Sequence, residues 1–513
     1  MRVLVTGGSG VIGEAAVRAL LRRGHSVRLL ARGAEGEART WPDEVEARPG
    51  DVTAPESLRG AADGCDAVLH LVGIVDESPP AVTFERVNVQ GTRHVVEEAT
   101  RAGVPHLVYV SSLGADRGAS PYHKSKLAGE EAARTFGGRW VVVRPGNVYG
   151  PGDEVVSLLL RMVRTLPAVP VIAGGDQPFQ PVWTDDVGEA LAEAVERADL
   201  AGRTLDVAGP ERTTMHDLLD RLARLTGRSP VRVPLPGPLA SLGVKLAEAV
   251  GLPMPINESQ LTMLAEGNVI DAPAENALDG VLRVTPTPLD EGLRRLLDVL
   301  PEQLPEEGVG ALRRRRFWAD VRGARLSPEA LLHRLCAHFQ EVTPDRMDLD
   351  AEPGTPRAVL AEGQTVTMAL PMRGTVQVRV VELTARGLTL QTVEGHPLAG
   401  AVHFACEPRG DALRFEVCVV ERAANLFDYV AMAALGSRLQ RATWRDIVGT
   451  MVEASGGEAS DGVQESDETL EGDEAEREES RLRALTDERR RAAHDAQLAG
   501  AEQGGGPRGA TSG

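Results

Sequence analysis

The stretch RVLVTGGSGVIG, residues 2–13, decides the fold of the first half of the chain. A β-branched run ends in a glycine turn, and the turn opens directly into a helical pattern. Gly7 permits a tight turn, Gly10 lets a phosphate group approach the backbone, and Gly13 lets helix and strand pack closely. The helix N-terminus adds N–H donors and positive potential. A glycine turn can be purely structural, but this one lies between a strand and a helix, so it predicts a dinucleotide pyrophosphate site.

The residues that follow alternate strands with helices. The β-rich runs SVRLLA, DAVLHLV, HLVYVSS and RWVVVRP are separated by longer helical patterns up to about residue 150. Such alternation forms parallel βαβ units with right-handed crossovers. We therefore expect an α/β fold with a Rossmann-like doubly wound parallel sheet. The helical and proline-rich residues of about 151–305 are expected to form a small substrate-binding region over the ligand crevice.

A second domain is predicted after the composition changes at LPEEGVGALRRRR, residues 304–316. The runs TVTMAL, TVQVRVVEL, GLTLQTV, AVHFACE and LRFEVCVVE predict an antiparallel sheet. A long helix should start near Asn425, with core packing expected for its apolar stripe of Leu426, Tyr429, Val430, Met432, Leu435 and Leu439. We expect domains at 1–305 and 312–454, the second an α+β arrangement of a kind that often encloses an apolar cavity.

The charge of the chain is uneven along its length. The formal net charge is −19, which repels phosphate backbones and anionic surfaces, so nucleic-acid binding is not expected. From Ser455 onward the chain holds 15 acidic and 7 basic residues and almost no aromatic or β-branched ones. We expect residues 455–513 to form a disordered acidic tail.

Several features favour a cytoplasmic protein. The first residues lack a charged-then-apolar leader, so no secretion signal is predicted. The most apolar later stretch, 234–256, is broken by charged residues and prolines, whereas a membrane span needs about 20 largely apolar residues. We expect no stable membrane insertion, and a homodimer is left open. The cysteines are far apart and form no CxxC pair, which suits a reducing compartment: Cys65, Cys336, Cys406 and Cys418.

The segment YHKSK, residues 122–126, carries the strongest catalytic pattern. The chain has only three lysines and four tyrosines, so a chance Tyr-x-x-x-Lys is rare. Positions i and i+4 share a helix face, so the Lys126 ammonium is expected near the Tyr122 hydroxyl, where it would lower the pKa of the phenol. Tyr122 would then exchange a proton near neutral pH. Ser112 ends the run HLVYVSS, where its hydroxyl either orients a substrate carbonyl or caps local backbone.

Two residues bear on which dinucleotide binds. Arg32 follows the second strand, where a carboxylate would bind an adenosine ribose and a guanidinium suits a 2′-phosphate. This favours NADP, with NAD as the alternative if Arg32 is only a solvated loop residue. Asp51, in PGDVT, either bonds the adenine amino group or belongs to the N-cap region of a helix before Pro55.

These motifs carry a family resemblance. TGGSGVIG, HLVG (70–73), VNVQGTRHVVEEA (87–99), YHKSK and RPGNVYGPGD (144–153) resemble the extended short-chain dehydrogenase/reductase family over about residues 1–300. HLVGIV, YHKSK and NESQLTMLAEGNVID are similar to the branch that contains the NADPH-binding accessory subunit of mitochondrial complex I.

The resemblance implies roles for individual residues. Ser112 and Tyr122 would face the reacting carbonyl, Lys126 would also bind the nicotinamide ribose, and Asn88 would support the active-site backbone. The candidate cofactor-binding residues are Thr6, Gly7, Gly10, Val11, Ile12, Gly13, Arg32, Asp51, Val52, Gly73, Asn88, Lys126 and Pro145. No metal site is expected, because His396 and His403 lack a full ligand set and fit turn and strand positions better.

The chain also departs from this family. Sugar-nucleotide epimerases place an arginine before an aromatic-x-Asp-Asp motif, whereas QPFQPVWTDD, residues 177–186, has none. Residues of about 313–453 resemble a bacterial domain family of unknown function, so this resemblance points to no known activity. The basic run 313–316 is either a solvated interdomain linker or a patch for a partner or phosphate.

Three functions follow from these observations. The first is an NADP-dependent oxidoreductase that transfers hydride to a carbonyl of a small molecule, with Tyr122 as proton donor. The second is a non-catalytic NADPH-binding scaffold or redox sensor. The third is a sugar-nucleotide epimerase or dehydratase, disfavoured by the missing arginine.

Overall fold

A parallel sheet with helices on both faces forms the first half of the protein. The computed structural model describes residues 1–172, 174–235, 268–271, 273–344, 348–349, 352, 359–370, 374–431 and 437–504. The strands of this half are β1 (Arg2–Thr6), β2 (Ser26–Ala31), β3 (Val45–Pro49), β4 (Ala67–His70), β5 (His106–Val110), β6 (Arg139–Pro145), β7 (Val148–Tyr149), β8 (Ala168–Ile172), β9 (Val182–Trp183), β10 (Arg203–Val207) and β11 (Val231–Leu235). Seven of them form one parallel sheet in the order β10-β6-β5-β4-β1-β2-β3. The expected doubly wound sheet is confirmed.

Helices cover both faces of this sheet. They are α1 (Val11–Arg22), α2 (Ala34–Thr40), α3 (Pro55–Leu58), α4 (Gly91–Arg101), α5 (Pro121–Arg134), α6 (Val156–Thr165), α7 (Thr184–Glu196), α8 (Met215–Thr226), α9 (Ala277–Gly280) and α10 (Leu289–Leu296), with a π-helical segment at Glu85–Gln90. One apolar cluster lies between the sheet and α1 and α7, and another lies under α3 and α4 on the opposite face. Because the strands are buried on both faces, they read as continuous apolar runs.

The helix that carries the YHKSK motif has a well-defined start. Ser120 is its N-cap, and its hydroxyl accepts a hydrogen bond from the His123 N–H at 3.2 Å. Pro121 occupies the first helical position, where its missing N–H costs nothing. These local signals determine where α5 begins, and they therefore place Tyr122 in the first turn of the helix.

The second half is an antiparallel sheet with helices packed against both of its faces. Its described strands are β12 (Val309–Arg322), β13 (Asp348–Leu349), β14 (Thr365–Leu370), β15 (Gly374–Leu383), β16 (Gly387–Thr392), β17 (Leu398–Arg409), β18 (Ala412–Ala423), β19 (Glu458–Ala459) and β20 (Gln464–Leu470). They run in the order β13-β14-β15-β16-β17-β18-β12-β19, and β20 also pairs with β12. The five strands expected from the sequence lie in this sheet, and the antiparallel pairing is confirmed.

The helices of this half are α11 (Pro328–Ala337), α12 (Phe339–Val342), α13 (Leu426–Ala431), α14 (Ser437–Ser455) and α15 (Gly472–Gly504). The apolar cluster between the sheet and α11, α12 and α14 includes Phe317, Phe404 and Phe415. The expected apolar stripe differs in its described part, because Leu426 and Tyr429 are exposed. The side chains of Val430, Met432, Leu435 and Leu439 lie outside the described residues, as do most of 234–256 and of NESQLTMLAEGNVID.

The basic run 313–316 is neither a linker nor an open patch. It lies within β12, between β18 and β20. Arg314 Nε donates to Glu468 on β20 at 2.7 Å, and Arg313 Nη2 donates to Asp467 at 2.8 Å. Arg315 is buried beside Glu421 of β18. The expectation for this run is therefore corrected. Strand pairing places the successive arginines opposite acidic residues that lie far away in the sequence.

The acidic tail also differs from the expectation over residues 458–504. β20 forms an edge of the sheet, and α15 packs Leu482 against a cluster that contains Leu312, Val420 and Leu470. The tail has few apolar residues, but they are spaced so that they face one surface. Its acidic side chains form ion pairs with the arginines of β12. Residues 505–513 lie outside the described residues.

Helix α15 contacts both halves of the protein. Arg489 forms an ion pair of 2.6 Å with the buried Glu302, which also pairs with Arg379 of β15 at 2.7 Å. Further along the helix, His494 stacks on Trp41, just after α2, with 4.0 Å between ring centroids. None of the helices that the structure describes is sufficiently long and apolar to cross a membrane.

Candidate functional site

The glycine turn lies at the carboxyl end of β1. Gly7 has a φ of 79°, and a Cβ there would lie 2.9 Å from the Val72 nitrogen. A Cβ on Gly13 would lie 2.1 Å from the Gly7 oxygen, so only glycine lets α1 approach the turn. A Cβ on Gly10 would meet nothing closer than 3.6 Å. Gly7 and Gly13 are thus required by contacts within the protein, whereas Gly10 leaves open space in front of the helix.

The start of α1 fits the pyrophosphate of a dinucleotide. Gly10 is its N-cap and supplies no side-chain hydrogen bond to the helix. The first intrahelical bond is donated by Glu14, so the N–H groups of Val11, Ile12 and Gly13 have no intrahelical acceptor. Three such donors with the helix dipole behind them form an anion site.

The residues expected at the adenosine end follow β2 and β3. Arg32 is exposed directly after β2, and Val52 is buried against Gly91 at the start of α4. Asp51 Oδ1 accepts hydrogen bonds from the Thr53 N–H and hydroxyl, each at 2.8 Å. Burial raises the pKa of Asp51, but these bonds and the charge of Arg32 outweigh it, so the pKa lies below its usual value. Asp51 therefore forms a local turn with Thr53, and Ala54 rather than Asp51 is the N-cap of α3.

Ser112 and Tyr122 meet at the same edge of the sheet. Ser112 follows β5 and is buried, and its hydroxyl lies near the Tyr122 phenol. The Tyr122 ring packs edge-on against Phe84, with ring centroids 6.2 Å apart. Burial raises the pKa of Tyr122 above its ordinary value, and the nearby Ser112 hydroxyl offsets part of that rise. The expected net lowering of this pKa by Lys126 is not found, because loss of water around the phenolate dominates.

Lys126 lies deeper than Tyr122, between two strand ends. Its Nζ donates to the Val110 carbonyl at 2.8 Å and lies 5.0 Å from the centre of the Tyr109 ring. A Cβ on Gly73 would lie 3.0 Å from this nitrogen, so the ammonium also faces the loop after β4. Burial lowers the pKa of Lys126 to about 8, and the charge of Glu130 opposes that change.

Asn88 joins two of the elements that form the site. It lies in the π-helical segment, where its Oδ1 accepts from the Ile74 N–H at 2.8 Å and its Nδ2 donates to the Ser125 hydroxyl at 2.9 Å. It thus ties the loop that contains Gly73 to α5. Single π-helical turns are frequent at functional sites. Pro145 ends β6 and is buried near the same edge.

Three buried polar residues near the site were not assigned from the sequence. His70, at the end of β4, has its Nδ1 2.6 Å from the Thr6 hydroxyl, and burial lowers its pKa to about 3. Glu130 and Arg144 form a bidentate ion pair beneath Ser112 and Lys126. For Glu130 a signal existed, since it follows Lys126 by one helical turn.

Other candidate residues have structural partners. Gln180 donates to the Gly209 carbonyl and accepts from the Ile270 N–H, and Asp186 accepts from the N–H and hydroxyl of Thr287. His403 lies 2.8 Å from the Thr389 hydroxyl on a neighbouring strand. In the part of the chain that the structure describes, no group of three or more His, Cys, Asp or Glu side chains is arranged to hold a metal ion.

The fold and the site define an NAD(P)-binding enzyme of the Rossmann type. Residues 3–208 match the NAD dependent epimerase/dehydratase family. The chain belongs to this family, which includes reductases as well as epimerases.

Proteins similar to this chain are named for different functions. Ceramide reductase of Caulobacter vibrioides is 31% identical over 243 residues, which cover 47% of this chain and 75% of that protein. Subunit 9 of the NADH dehydrogenase 1 alpha subcomplex of Rattus norvegicus is 29% identical over 188 residues, covering 36% of this chain and 49% of the subunit. The solved structure of Citrobacter sp. triphenylmethane reductase with NADP(H) is 22% identical with a TM-score of 0.47, covering 58% of this chain and 100% of that one. The chain thus spans only about half of the complex I subunit's length.

Proposed function

We propose that the protein is an NADP-dependent oxidoreductase that reduces a carbonyl group of a small molecule, with Tyr122 as the proton donor. The observation that carries this proposal is the placement of the Tyr122 phenol near the buried Ser112 hydroxyl, on the helix that also carries the buried Lys126 ammonium. These groups lie at the carboxyl ends of β4 and β5, next to the glycine turn after β1. In an open α/β sheet this edge is where ligands bind.

The residues of the chain would hold the cofactor along this edge. The N–H groups at the start of α1 would bind the pyrophosphate, and the Arg32 guanidinium would bind a 2′-phosphate. Lys126 would contact the nicotinamide ribose from its position between Val110 and Gly73. When bound, NADPH supplies a hydride from nicotinamide C4.

The proton side of the reaction falls to Tyr122 and Ser112. Because burial raises the pKa of Tyr122, the phenol holds its proton at neutral pH. A protonated phenol suits carbonyl reduction, in which the substrate oxygen gains a proton as the carbon gains hydride. The Ser112 hydroxyl would donate a hydrogen bond to the same oxygen and hold it near the phenol.

The substrate region argues against a sugar nucleotide. Residues 177–184, which lead into the Asp185-Asp186 pair, contain no arginine. The side chains of Gln180 and Asp186 already form hydrogen bonds within the protein. The Caulobacter relative is named for reduction of a ceramide, so long-chain carbonyl compounds come first in a substrate screen.

The experiment is a screen of carbonyl compounds with purified protein, in which oxidation of NADPH is followed by absorbance. We expect Tyr122→Phe to abolish turnover and to leave NADPH affinity, measured by calorimetry, within about twofold, because only the hydroxyl is lost. Tyr429→Phe is the matched control, since that tyrosine is exposed on α13 of the second half. Turnover by Tyr122→Phe equal to wild type would refute the proposal. Bound NADPH without turnover of any carbonyl by the wild type would favour the non-catalytic scaffold.

A further inference from the structure

A buried carboxylate lies directly beneath the candidate site. Glu130 is on α5, one helical turn after Lys126, and its side chain is fully buried. Burying a charged group is costly unless it is paired and hydrogen bonded. The partners of Glu130 therefore indicate what it holds in place.

The partners of Glu130 come from several elements. The Ser111 hydroxyl donates to its Oε1 at 2.6 Å. Arg144 donates from Nε to Oε1 at 2.7 Å and from Nη2 to Oε2 at 2.8 Å, and Arg134 donates to Oε2 at 2.7 Å. Ser111 follows β5 and immediately precedes Ser112, while Arg144 belongs to β6. One carboxylate thus joins α5 to the ends of two neighbouring strands.

The same network reaches the segment that leads into α5. Arg144 Nη1 donates to Asp116 at 2.7 Å, and Asp116 lies between Ser112 and the start of the helix. Every element that carries a candidate catalytic side chain is therefore bonded, directly or through Arg144, to Glu130. A shift of α5 against β5 would have to break charge-assisted hydrogen bonds.

We propose that Glu130 is a positioning residue that holds Ser112, Tyr122 and Lys126 in register across β5 and α5. The proposal rests on the proposed function for its effect on turnover. Its effect on Lys126 is independent of any substrate, because the negative charge of Glu130 favours the ammonium form of that lysine.

The charged and titratable groups around Lys126 determine how its pKa should respond when the charge of Glu130 is removed. On its own helix it faces Glu130, on β5 it faces the uncharged Tyr109 ring, and on β4 it faces His70, whose low pKa keeps the imidazole neutral. Among these groups Glu130 is the anion. Removing its charge should therefore lower the pKa of Lys126 and cause the ammonium to be lost at a lower pH.

The test is Glu130→Gln in the full-length protein, read by NMR of lysine labelled with ¹³C at Cε. The chain has three lysines, so each resonance can be assigned with Lys124→Arg and Lys245→Arg. We expect the Lys126 titration midpoint to fall by about one pH unit. Glu131→Gln is the matched control, because this neighbour on α5 is exposed, and it should leave the midpoint unchanged.

Kinetics supply the second measurement. With a substrate from the screen, kcat of Glu130→Gln should fall about tenfold or more, KM and NADPH affinity should change little, and the alkaline loss of kcat should begin at a lower pH. If Glu130→Gln does not fold, Ser111→Ala removes only the bond to β5 and should lower kcat about threefold or more with NADPH affinity retained. An unchanged Lys126 midpoint in folded Glu130→Gln, or an unchanged kcat in Ser111→Ala, would overturn the proposal. If no carbonyl is turned over by the wild type, the proposed function fails while the NMR result still decides the role of Glu130.

Discussion

Replacing Leu482 by alanine tests whether the charged C-terminal helix is a docked part of the protein. Leu482 is 1% exposed on α15, and it packs against Leu312 of β12, Val420 of β18 and Leu470 of β20. It is the most buried apolar side chain that α15 contributes to this cluster. The variant removes its apolar contacts and leaves the charges of the helix unchanged.

The expected cost follows from burial. Leu→Ala substitutions in packed cores cost about 2–5 kcal/mol through lost transfer free energy and the cavity that remains. Because α15 borders solvent, the site can partly collapse, so we expect the lower part of this range, about 2–3 kcal/mol. At about 1.4 kcal/mol per factor of ten, a loss of 2 kcal/mol raises the open population of the helix roughly 30-fold.

Hydrogen exchange read by mass spectrometry measures this population directly. Peptides from residues 472–504 should exchange roughly 30-fold faster or more in Leu482→Ala. The peptide that contains Trp41 should also lose protection, because His494 stacks on that ring. Glu488→Ala is the matched control, since Glu488 is exposed on the same helix and the change alters helix propensity little.

Equal protection of residues 472–504 in wild type and Leu482→Ala would refute the docking of α15. Truncation after Ala454 extends the test, since it removes β20 and leaves the arginines of β12 without their acidic partners. We expect the melting temperature of the truncated chain to fall by several degrees. An unchanged melting temperature would show that the tail makes no stabilising contact.

Four further predictions follow from the first half of the protein. NADPH should bind at least about tenfold more tightly than NADH, with Arg32→Asp reversing the preference in calorimetry, because the 2′-phosphate would meet a like charge; equal wild-type affinities would contradict this. Gly13→Ala should abolish NADPH binding, because its Cβ would lie 2.1 Å from the Gly7 oxygen; wild-type affinity by calorimetry would show that the turn adapts. Activity should fall as pH rises through about 8, where Lys126 loses its proton, and Lys126→Arg should remove this alkaline loss from the pH–rate profile; a loss that persists in the variant would contradict the assignment to Lys126. Burial lowers the pKa of His70 to about 3 in the folded protein, against about 6.5 in the unfolded chain. Between these pH values only the unfolded chain protonates His70, so the free energy of unfolding should decline as pH falls through this window. The denaturant midpoint of His70→Asn should therefore depend less on pH in the acid range than that of the wild type. An unchanged dependence would mean that other groups cause the acid loss of stability.

The sequence by itself determined the parts of the fold that local rules control. Gly7 and Gly13 are dictated by a turn and a close helix approach that no side chain permits. The strands β1, β2, β5 and β6 and the five strands from β14 to β18 were readable because their apolar and β-branched patterns are written within each segment. The placement of Tyr122 and Lys126 one turn apart on one helix was equally local.

Only the tertiary structure decided how distant segments alter one another. The pKa of Tyr122 rises because strands and loops from elsewhere in the chain exclude water from its hydroxyl, and sequence spacing to Lys126 cannot report that burial. The arginines 313–316 and the acids of β20 are about 150 residues apart, so their neutralisation appears only when the strands pair. For the same reason the tail reads as disordered by composition, yet Leu482 packs into a cluster built from the four strands β12, β17, β18 and β20. Desolvation and long-range pairing depend on what packs against a residue, and that is set by the whole fold.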